Sequence, residues 1–492
     1  MQFPREIDER TRPRRGDHII EHLLRRAGFG ASQEEVDEYA DLGYSAAVDR
    51  LIDFETVPDT VDTLIGKTGY VGLTITGAFT PRTNIAHARQ RWLFRMVHSQ
   101  RPLQEKMALF WHNHFATAVS KIQGALGTDE GTRYMAAKPS EDPNNVKGQL
   151  ELFREYALGN FRDLLLAVAK DAAMVVWLDG RTNVKGRPQE NFARELMELF
   201  TMGVDTFAEE DVYAGARVFT GWNLARPSNA YYQFSYIGAN HDTTAKDFTF
   251  PVMPNGSKTI PARSADAGQQ DGIDLINAVA RHPETGPRLA RKLYRYFIDE
   301  VNPPDQTLIS EMSRIYYDSG FEMKPVVRHL LMSRQFTDPN NRYARYSWPV
   351  EFVIRSLKEV GWTGFSVNDL LTPMTNMGQL LFEPPDVSGW DLGESWFSSA
   401  GMLARMNFAS QLASNQKFNL RDSVKGAARS PEGLLSLMLD RLTAPAYSSG
   451  SYQALLDYTR AGGAWTGSDT QLATKASGLA HLIIGSGDYQ LV

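Results

Sequence analysis

The sequence predicts a mainly α-helical protein, a large multi-helix single body with one loop-rich insertion that carries a short β-hairpin. Three observations predict it. Apolar residues recur at helical spacing along most of the chain. Helix start and stop signals bracket these segments. The composition, 492 residues with 42% hydrophobic and 22% charged residues, is typical of a globular protein that can bury a sizeable core.

The first elements show these signals. Residues His18–Ala27 have apolar side chains at helical spacing, and Gly28 and Gly30 end the segment. Ser32 opens a second helix, because Glu35 completes a capping box with it. The same signals predict helices over Arg82–Gln100, Pro102–Val119, Thr206–Phe219, Gly272–Arg281, Thr285–Glu300, Asp305–Ser319, Lys324–Ser333, Pro349–Val360, Trp396–Leu412, Pro431–Leu442, Tyr452–Arg460 and Leu472–Ile484.

The most apolar run of the chain, Leu164–Leu178, is predicted to be a buried helix. It contains Lys170 and Asp171, and it is shorter than the roughly 20 residues that a membrane-spanning helix needs. The sequence therefore predicts no membrane span.

The insertion covers residues 223–272, which are rich in Gly, Pro, Ser, Asn and aromatic residues. Alternation over Tyr231–Ile237 and Asp247–Val252 predicts two short strands there. We expect one helical domain over residues 1–492, with residues 420–492 as a C-terminal helical segment.

Composition also excludes several functions. The net charge is −6 and no stretch concentrates Lys and Arg, which disfavours nucleic-acid binding. The absence of cysteine excludes disulfides and thiol chemistry, and no Gly-rich phosphate loop supports a nucleotide cofactor. No apolar segment follows Arg14 and Arg15, so the sequence predicts a cytoplasmic protein, with a periplasmic location as the alternative.

The strongest candidate for chemistry is a helix predicted between Pro188 and Gly203. At about 100° per residue, Asn191, Glu195 and Glu198 share a narrow sector of one face, with Arg194 beside them. A solvated polar face explains the same pattern. The preceding loop adds two oxygen-bearing side chains of the kind that bind hard cations, Asp179 and Asn183.

Two histidines lie in the apolar stretch Met107–Ser120. Residues two apart in a helix diverge by about 200°, so His112 and His114 are expected to face different partners. Desolvation keeps such an imidazole neutral, and hence able to act as a base or a metal ligand. A hydrogen-bonded core histidine is the structural alternative.

Two weaker candidates follow. His241 and Asp242 are adjacent in the insertion, where such a pair also arises by chance. The segment Pro384–Asn407 combines aromatic and acidic residues, which either pack and form turns or stack on a sugar-like ligand. The candidate substrate-binding residues are Asn191, Trp222, Asp386, Trp390, Trp396 and Arg405.

The leading hypothesis is a metal-assisted enzyme, a hydrolase or lyase, that acts on a small polar, hydroxyl-rich and saccharide-like substrate. A divalent ion of Mn, Fe, Zn, Mg or Ca would activate water, and a neighbouring side chain would move the proton. The candidate catalytic residues are Glu195, Glu198, His114 and Arg194. The candidate metal ligands are His112, His114, Asp179, Asn183, Glu195, His241 and Asp242.

Three alternatives stay open. Paired carboxylates, Glu195 with Glu198 or one of these two with Asp179, would support glycoside chemistry without a metal. A non-haem iron centre would support oxidative chemistry. A helical scaffold or partner-binding protein would use the same polar residues only to hold helices in register.

Several strings resemble the bacterial family catalogued as domain of unknown function 1800. The strings are HLLRRAGFG (22–30), FWHNHFAT (110–117), ENFARELMELFTMGV (190–204), VYAGARVFTGW (212–222), ARKLYRYF (290–297), PPDVSGWDLGESW (384–396) and GDYQ (487–490). The resemblance implies a single domain over nearly the whole chain. It also implies a sulfatase-like protein partner and exported relatives, but no reaction.

Overall fold

A computed structural model describes residues 18–227, 231–443 and 447–492 of the chain. In these residues the protein is mainly α-helical, as the sequence predicts. The Arg14-Arg15 pair lies outside the described residues. None of the described helices is both long and apolar enough to span a bilayer.

The first half of the fold, up to the insertion, contains twelve α-helices. They are α1 (His18–Arg26), α2 (Gln33–Leu42), α3 (Tyr44–Ile52), α4 (Ile85–His98), α5 (Pro102–His114), α6 (Val119–Leu126), α7 (Thr128–Ala136), α8 (Gln149–Glu155), α9 (Phe161–Lys170), α10 (Ala172–Trp177), α11 (Asn191–Glu195) and α12 (Glu209–Val218). One π-helical turn, Leu196–Phe200, continues α11.

The second half contains the other twelve described helices, and α20 to α23 pack around α24 or against one another. They are α13 (Gln269–Arg281), α14 (Thr285–Phe297), α15 (Gln306–Asp318), α16 (Met323–Met332), α17 (Arg334–Thr337), α18 (Pro349–Val360), α19 (Leu371–Asn376), α20 (Ser399–Asn415), α21 (Lys417–Val424), α22 (Pro431–Arg441), α23 (Ser449–Arg460) and α24 (Asp469–Ile484).

The insertion holds two small antiparallel sheets, so the predicted hairpin is present. Strand β1 (Trp222–Ala225) pairs with β2 (Gln233–Tyr236), inside the predicted Tyr231–Ile237 strand. The second predicted strand, Asp247–Val252, is mostly wrong. Only Asp247 belongs to β3 (Lys246–Asp247), which pairs with β4 (Thr259–Ile260).

Several helix boundaries differ from the predictions, and three of them show where side chains and turns interrupt a predicted helix. The Leu164–Leu178 run is two helices, since the Asp171 carboxylate accepts a hydrogen bond from the Met174 N–H at 2.9 Å and starts α10. The helix predicted over Pro102–Val119 ends at His114. The helix predicted from Thr206 begins at Glu209.

Helices α5 and α18 form the centre of the molecule. Every residue of α18 is buried, and so is nearly every residue of α5. Helices without a solvent face are normally apolar all round, yet these two carry charged residues. Each charge therefore needs a partner inside the protein.

A buried ion triad joins the two helices. Lys106 of α5 and Arg345 both donate to the carboxylate of Glu351 on α18. The three side chains are at most 3% exposed. Burial raises the pKa of Glu351, but the charges of Arg345 and Lys106 outweigh it and lower that pKa to about 2. Glu351 is therefore ionised at neutral pH.

Two further networks secure the same helices. Glu105 of α5 is fully buried and accepts hydrogen bonds from Arg95 Nε at 2.8 Å and Arg154 Nη2 at 2.9 Å. On α18, Arg355 Nε donates to Glu359 at 3.0 Å. The Tyr489 hydroxyl donates to Glu359 at 2.5 Å, which connects α18 to the C-terminal segment.

We predict that Glu351→Gln lowers the free energy of unfolding by about 3–5 kcal/mol, because it leaves two buried cations without a counter-charge. Asp318→Asn is the control, since its ion pair with Arg314 is largely exposed and contributes less than about 1 kcal/mol. Urea denaturation of both variants measures the difference. Equal losses of stability would contradict the prediction.

Candidate functional site

Three separate elements meet around the side chain of His114, the last residue of α5. Its Nε2 lies 3.0 Å from the carbonyl oxygen of Phe200, at the end of the π turn. Because a carbonyl only accepts, Nε2 carries the proton and Nδ1 is the acceptor. Lys292 Nζ of α14 donates to Nδ1 at 2.9 Å and to the Leu199 carbonyl at 3.3 Å. The imidazole thus joins α5, the π turn and α14.

The helix that carries the predicted carboxylates is not regular. The single helix predicted between Pro188 and Gly203 is a short α-helix, α11, followed by the π turn. A helix end leaves carbonyl groups without intrahelical partners, and Lys292 and His114 donate to two of them. Single π turns within helices occur frequently at functional sites.

Three acidic side chains lie close to one another at this junction, those of Glu195, Glu198 and Asp386. Burial raises the pKa of Glu195, and the charges of Glu198 and Asp386 raise it further against the opposing effect of Arg194. Within the described ranges, neither Glu195 nor Glu198 has a side-chain hydrogen bond or an ion pair. The carboxylate of Asp386 accepts from the backbone and hydroxyl of Ser388 at 2.8 and 2.5 Å.

Two basic side chains of α14, those of Arg288 and Lys292, lie beside the π turn and the glycine that follows it. Burial and the charge of Arg288 lower the pKa of Lys292 to about 7. Burial, Lys292 and Arg288 hold the pKa of His114 well below its usual value, so the ring is neutral at pH 7. The charge of Glu198 acts in turn on Arg288. The junction therefore holds a carboxyl group, an amine and an imidazole, all with shifted pKa values.

His112, two residues before His114, faces a different part of the core. Its Nε2 accepts a hydrogen bond from the Phe382 N–H at 3.1 Å. The ring packs against Trp92 and Trp390, and burial lowers its pKa to about 3. The two histidines diverge as their spacing in a helix predicts, and they do not share a ligand position.

The loop before α11 is held by local contacts. Asp179 pairs with Lys121 at 3.1 Å and accepts a hydrogen bond from Asn191 at 2.9 Å. Asn183 is buried, and its amide donates to the carbonyl of Ala216 at 3.0 Å. Asp179 and Asn191 thus connect the loop to the start of α11.

Arg194, which is predicted to be catalytic, forms ion pairs with glutamates at the protein surface. Its guanidinium binds both carboxylate oxygens of Glu209, at 3.0 and 2.7 Å, and contacts Glu190 at 3.4 Å. The carboxylates of Glu195 and Glu198 are therefore left without this arginine as a partner.

The His241-Asp242 pair belongs to a separate network that attaches the insertion to the helices around it. His241 Nε2 lies 3.2 Å from a carboxylate oxygen of Asp271 on α13, and Lys246 Nζ donates to the same oxygen at 2.5 Å. Asp242 pairs with Arg217 of α12 at 2.8 Å. These contacts account for both residues without a ligand.

The predicted metal ligands are thus distributed over several networks. In the part of the chain that the structure describes, no three His, Asp or Glu side chains are grouped so as to hold a metal ion. Both ring nitrogens of His114 take part in hydrogen bonds with protein groups. Metal binding stays a prediction from the sequence.

Four of the predicted substrate-binding residues lie in the core, whereas Asn191 and Asp386 are exposed. Trp222, Trp390 and Trp396 are at most 5% exposed, and Arg405 is fully buried. The Trp390 N–H donates to Asn113 of α5 at 2.7 Å, which holds the Asp386 loop against the junction. Packing explains these aromatic residues, and ligand binding by them stays a prediction.

Sequence reasoning missed Lys292 and Arg288 as members of this site. Both lie on α14, and Lys292 belongs to the string ARKLYRYF. One sequence feature could have revealed them. The two cations are four residues apart on an amphipathic helix, and this spacing places them on one face. Four of the strings quoted above come together here, those at 110–117, 190–204, 290–297 and 384–396.

The fold and the junction define a large α-helical protein with a carboxylate, lysine and histidine centre between α5, α11, the π turn and α14. The family model described as "Protein of unknown function (DUF1800)" matches residues 22–491. The chain belongs to this family. Comparisons with curated proteins and with solved structures give no match.

We predict that His114→Ala lowers the free energy of unfolding by about 2–4 kcal/mol, since it opens a cavity and leaves the buried Phe200 carbonyl without a donor. His329→Ala, at a partly exposed position where the ring pairs with Glu311, is the control and changes stability by about 1 kcal/mol or less. Thermal and urea denaturation measure both values. A stable His114→Ala variant would show that the imidazole does not hold the junction together.

We predict that the protein loses stability as the pH falls from about 6.5 towards 3. Folded His112 has a pKa of about 3, whereas the unfolded ring has one of about 6.5, so protonation favours unfolding. One such group contributes a slope of about 1.4 kcal/mol per pH unit. His112→Gln removes this titration and keeps an acceptor for the Phe382 N–H. Identical pH slopes for the variant and the wild type would refute the assignment.

Proposed function

We propose that the protein is an enzyme that cleaves or transfers a bond in a polar, hydroxyl-rich substrate by acid–base catalysis, with Glu195 as the proton donor. One observation carries the proposal. Glu195 and Glu198 are half-buried neighbouring carboxyl groups with no hydrogen-bond or ion-pair partner among the described residues, at a junction of four sequence strings. Carboxyl groups that only stabilise a fold are normally paired when they are removed from water.

The raised pKa of Glu195 gives it the role of the acid. Burial, Glu198 and Asp386 all favour its protonated form. A general acid works best when its pKa lies near the working pH, and enzymes raise the pKa of a glutamic acid by burial and like charges. Glu195 would therefore protonate the leaving oxygen of the substrate.

Glu198 and Asp386 supply the second carboxylate that such a reaction needs. One of them would activate water or attack the substrate carbon while Glu195 protonates the leaving group. Two carboxyl groups of unlike protonation state on either side of a bond are the arrangement of glycoside hydrolysis. A saccharide is the hydroxyl-rich substrate that matches this chemistry.

His114 and Lys292 act as positioning residues in this proposal. Their hydrogen bonds to the Phe200 and Leu199 carbonyls fix the end of the helix that carries both glutamates. Preorganised catalytic groups depend on such support, because displacement by about 1 Å lowers rates by about a hundredfold.

A second candidate function, a non-catalytic helical scaffold, is supported by one observation. Both ring nitrogens of His114 form hydrogen bonds that connect helices. On this alternative the polar residues of the junction serve stability alone. Substitution of Glu195 distinguishes the two functions, because this side chain has no hydrogen-bond or ion-pair partner among the described residues.

We predict that Glu195→Gln lowers turnover by at least about a hundredfold, the usual contribution of a general acid, and changes the free energy of unfolding by about 0.5 kcal/mol or less. The assay is release of chromophore from a panel of 4-nitrophenyl glycosides and of reducing ends from oligosaccharides. Wild-type kcat/KM is expected to fall as the pH rises through the raised pKa of Glu195, because the acid loses its proton.

Glu210→Gln is the matched control, since Glu210 is exposed on α12, and it leaves turnover unchanged. Absence of turnover in the wild type over the whole panel, or equal rates in both variants, counts against the enzyme. A large loss of stability in Glu195→Gln favours the scaffold.

A further inference from the structure

Helix α14 presents four cations on one face. Three- and four-residue spacings relate these cations, which are Arg288, Arg291, Lys292 and Arg295. Their side chains are therefore neighbours on the helix surface. Arg288, Arg291 and Lys292 are partly buried, whereas Arg295 is exposed. Lys292 is the lysine that reaches His114.

Among the described residues, the arginines of this face lack the carboxylate partners that several arginines of the core have. Arg95, Arg154 and Arg345 each pair with buried glutamates. On α14, by contrast, none of the three arginines has an ion pair or a side-chain hydrogen bond within the described ranges. The chain is acidic, with 58 Asp and Glu against 52 Lys and Arg, so a shortage of acids does not explain the difference.

Arg288 carries an unsatisfied donor on this face. Its Nε is buried and has no hydrogen-bond partner among the described residues. Its side chain lies over Gly203, which leaves room for it because glycine has no Cβ. Burial and the repulsion of Arg291 lower the pKa of Arg288. Burial and Arg288 likewise lower the pKa of Lys292 to about 7. An anion between these groups would relieve the repulsion and satisfy the donors.

We propose that Arg288, Arg291 and Lys292 form a binding site for an oxyanion group, a phosphate, sulfate or carboxylate carried by the substrate. Guanidinium groups present paired donors that match the oxygens of such groups, and a lysine adds a point charge. Glu198 acts on Arg288 from the adjacent helix, so a substrate held by its anion on α14 would extend towards the carboxylates. The substrate class rests on the proposed function, but anion binding itself does not.

The test is isothermal titration of the full-length protein with inorganic phosphate, with sulfate and with acetate, in separate experiments at constant ionic strength and pH 6.5. We expect saturable binding of at least one oxyanion. Arg288→Gln is expected to weaken it about tenfold or more, because a charge-assisted hydrogen bond is lost. Stronger binding of phosphate or sulfate than of acetate indicates an ester-bearing substrate, and the reverse order indicates a carboxylated one.

Arg314→Gln is the matched control, since it removes the same charge from an exposed position on α15, and its binding is expected to equal that of the wild type. Arg291→Gln provides a second variant on the same helix face, and thermal denaturation shows that each variant is folded. No saturable binding, or equal weakening by Arg314→Gln and Arg288→Gln, overturns the proposal.

The Glu195→Gln variant separates this proposal from the proposed function. It is expected to bind the oxyanion as the wild type does while its turnover is lost. Binding by the wild type without turnover of any glycoside leaves the anion site standing and removes only the acid–base enzyme. Turnover that needs Glu195, with no anion bound, removes only the anion site.

Discussion

The structure depends on the need of two fully buried helices to neutralise their own charges. Helices α5 and α18 have no solvent face, so Lys106 and Glu351 must meet inside the protein. Ion pairs of this kind add little net stability, but they tolerate only one alignment of their helices. The last turn of the same helix α5 carries Asn113 and His114, so the ion pair also helps to position the junction.

The core and the junction differ in how completely their charges are paired. In the core, Glu105 and Glu351 are each surrounded by cations at hydrogen-bonding distance. At the junction, Glu195 on one side and Arg288 on the other have no such partner in the part of the chain that the structure describes. Natural proteins break the rules of local consistency chiefly where function requires it, and here both signs of charge are left unpaired within one small region.

The sequence predicted the helical class and most long helices, because a 3.6-residue apolar period survives any tertiary arrangement. The prediction of helix boundaries failed where a single side chain starts a new helix inside an apolar run, as Asp171 does. It also failed where the π turn at Leu196–Phe200 replaces a regular helix. Lys292 was missed because it meets His114 across 178 residues of sequence, a distance that no local pattern spans. Aromatic residues near acids equally suit a core, which is where Trp390 and Trp396 lie.

The fixed tautomer of His114 has a consequence for how protons move. Lys292 donates to Nδ1, and Nε2 donates to the Phe200 carbonyl. A peptide oxygen accepts a hydrogen bond but does not take up and pass on a proton. Proton transfer along this chain of hydrogen bonds therefore stops at the Phe200 carbonyl. The imidazole therefore positions Lys292 without carrying its proton further into the protein.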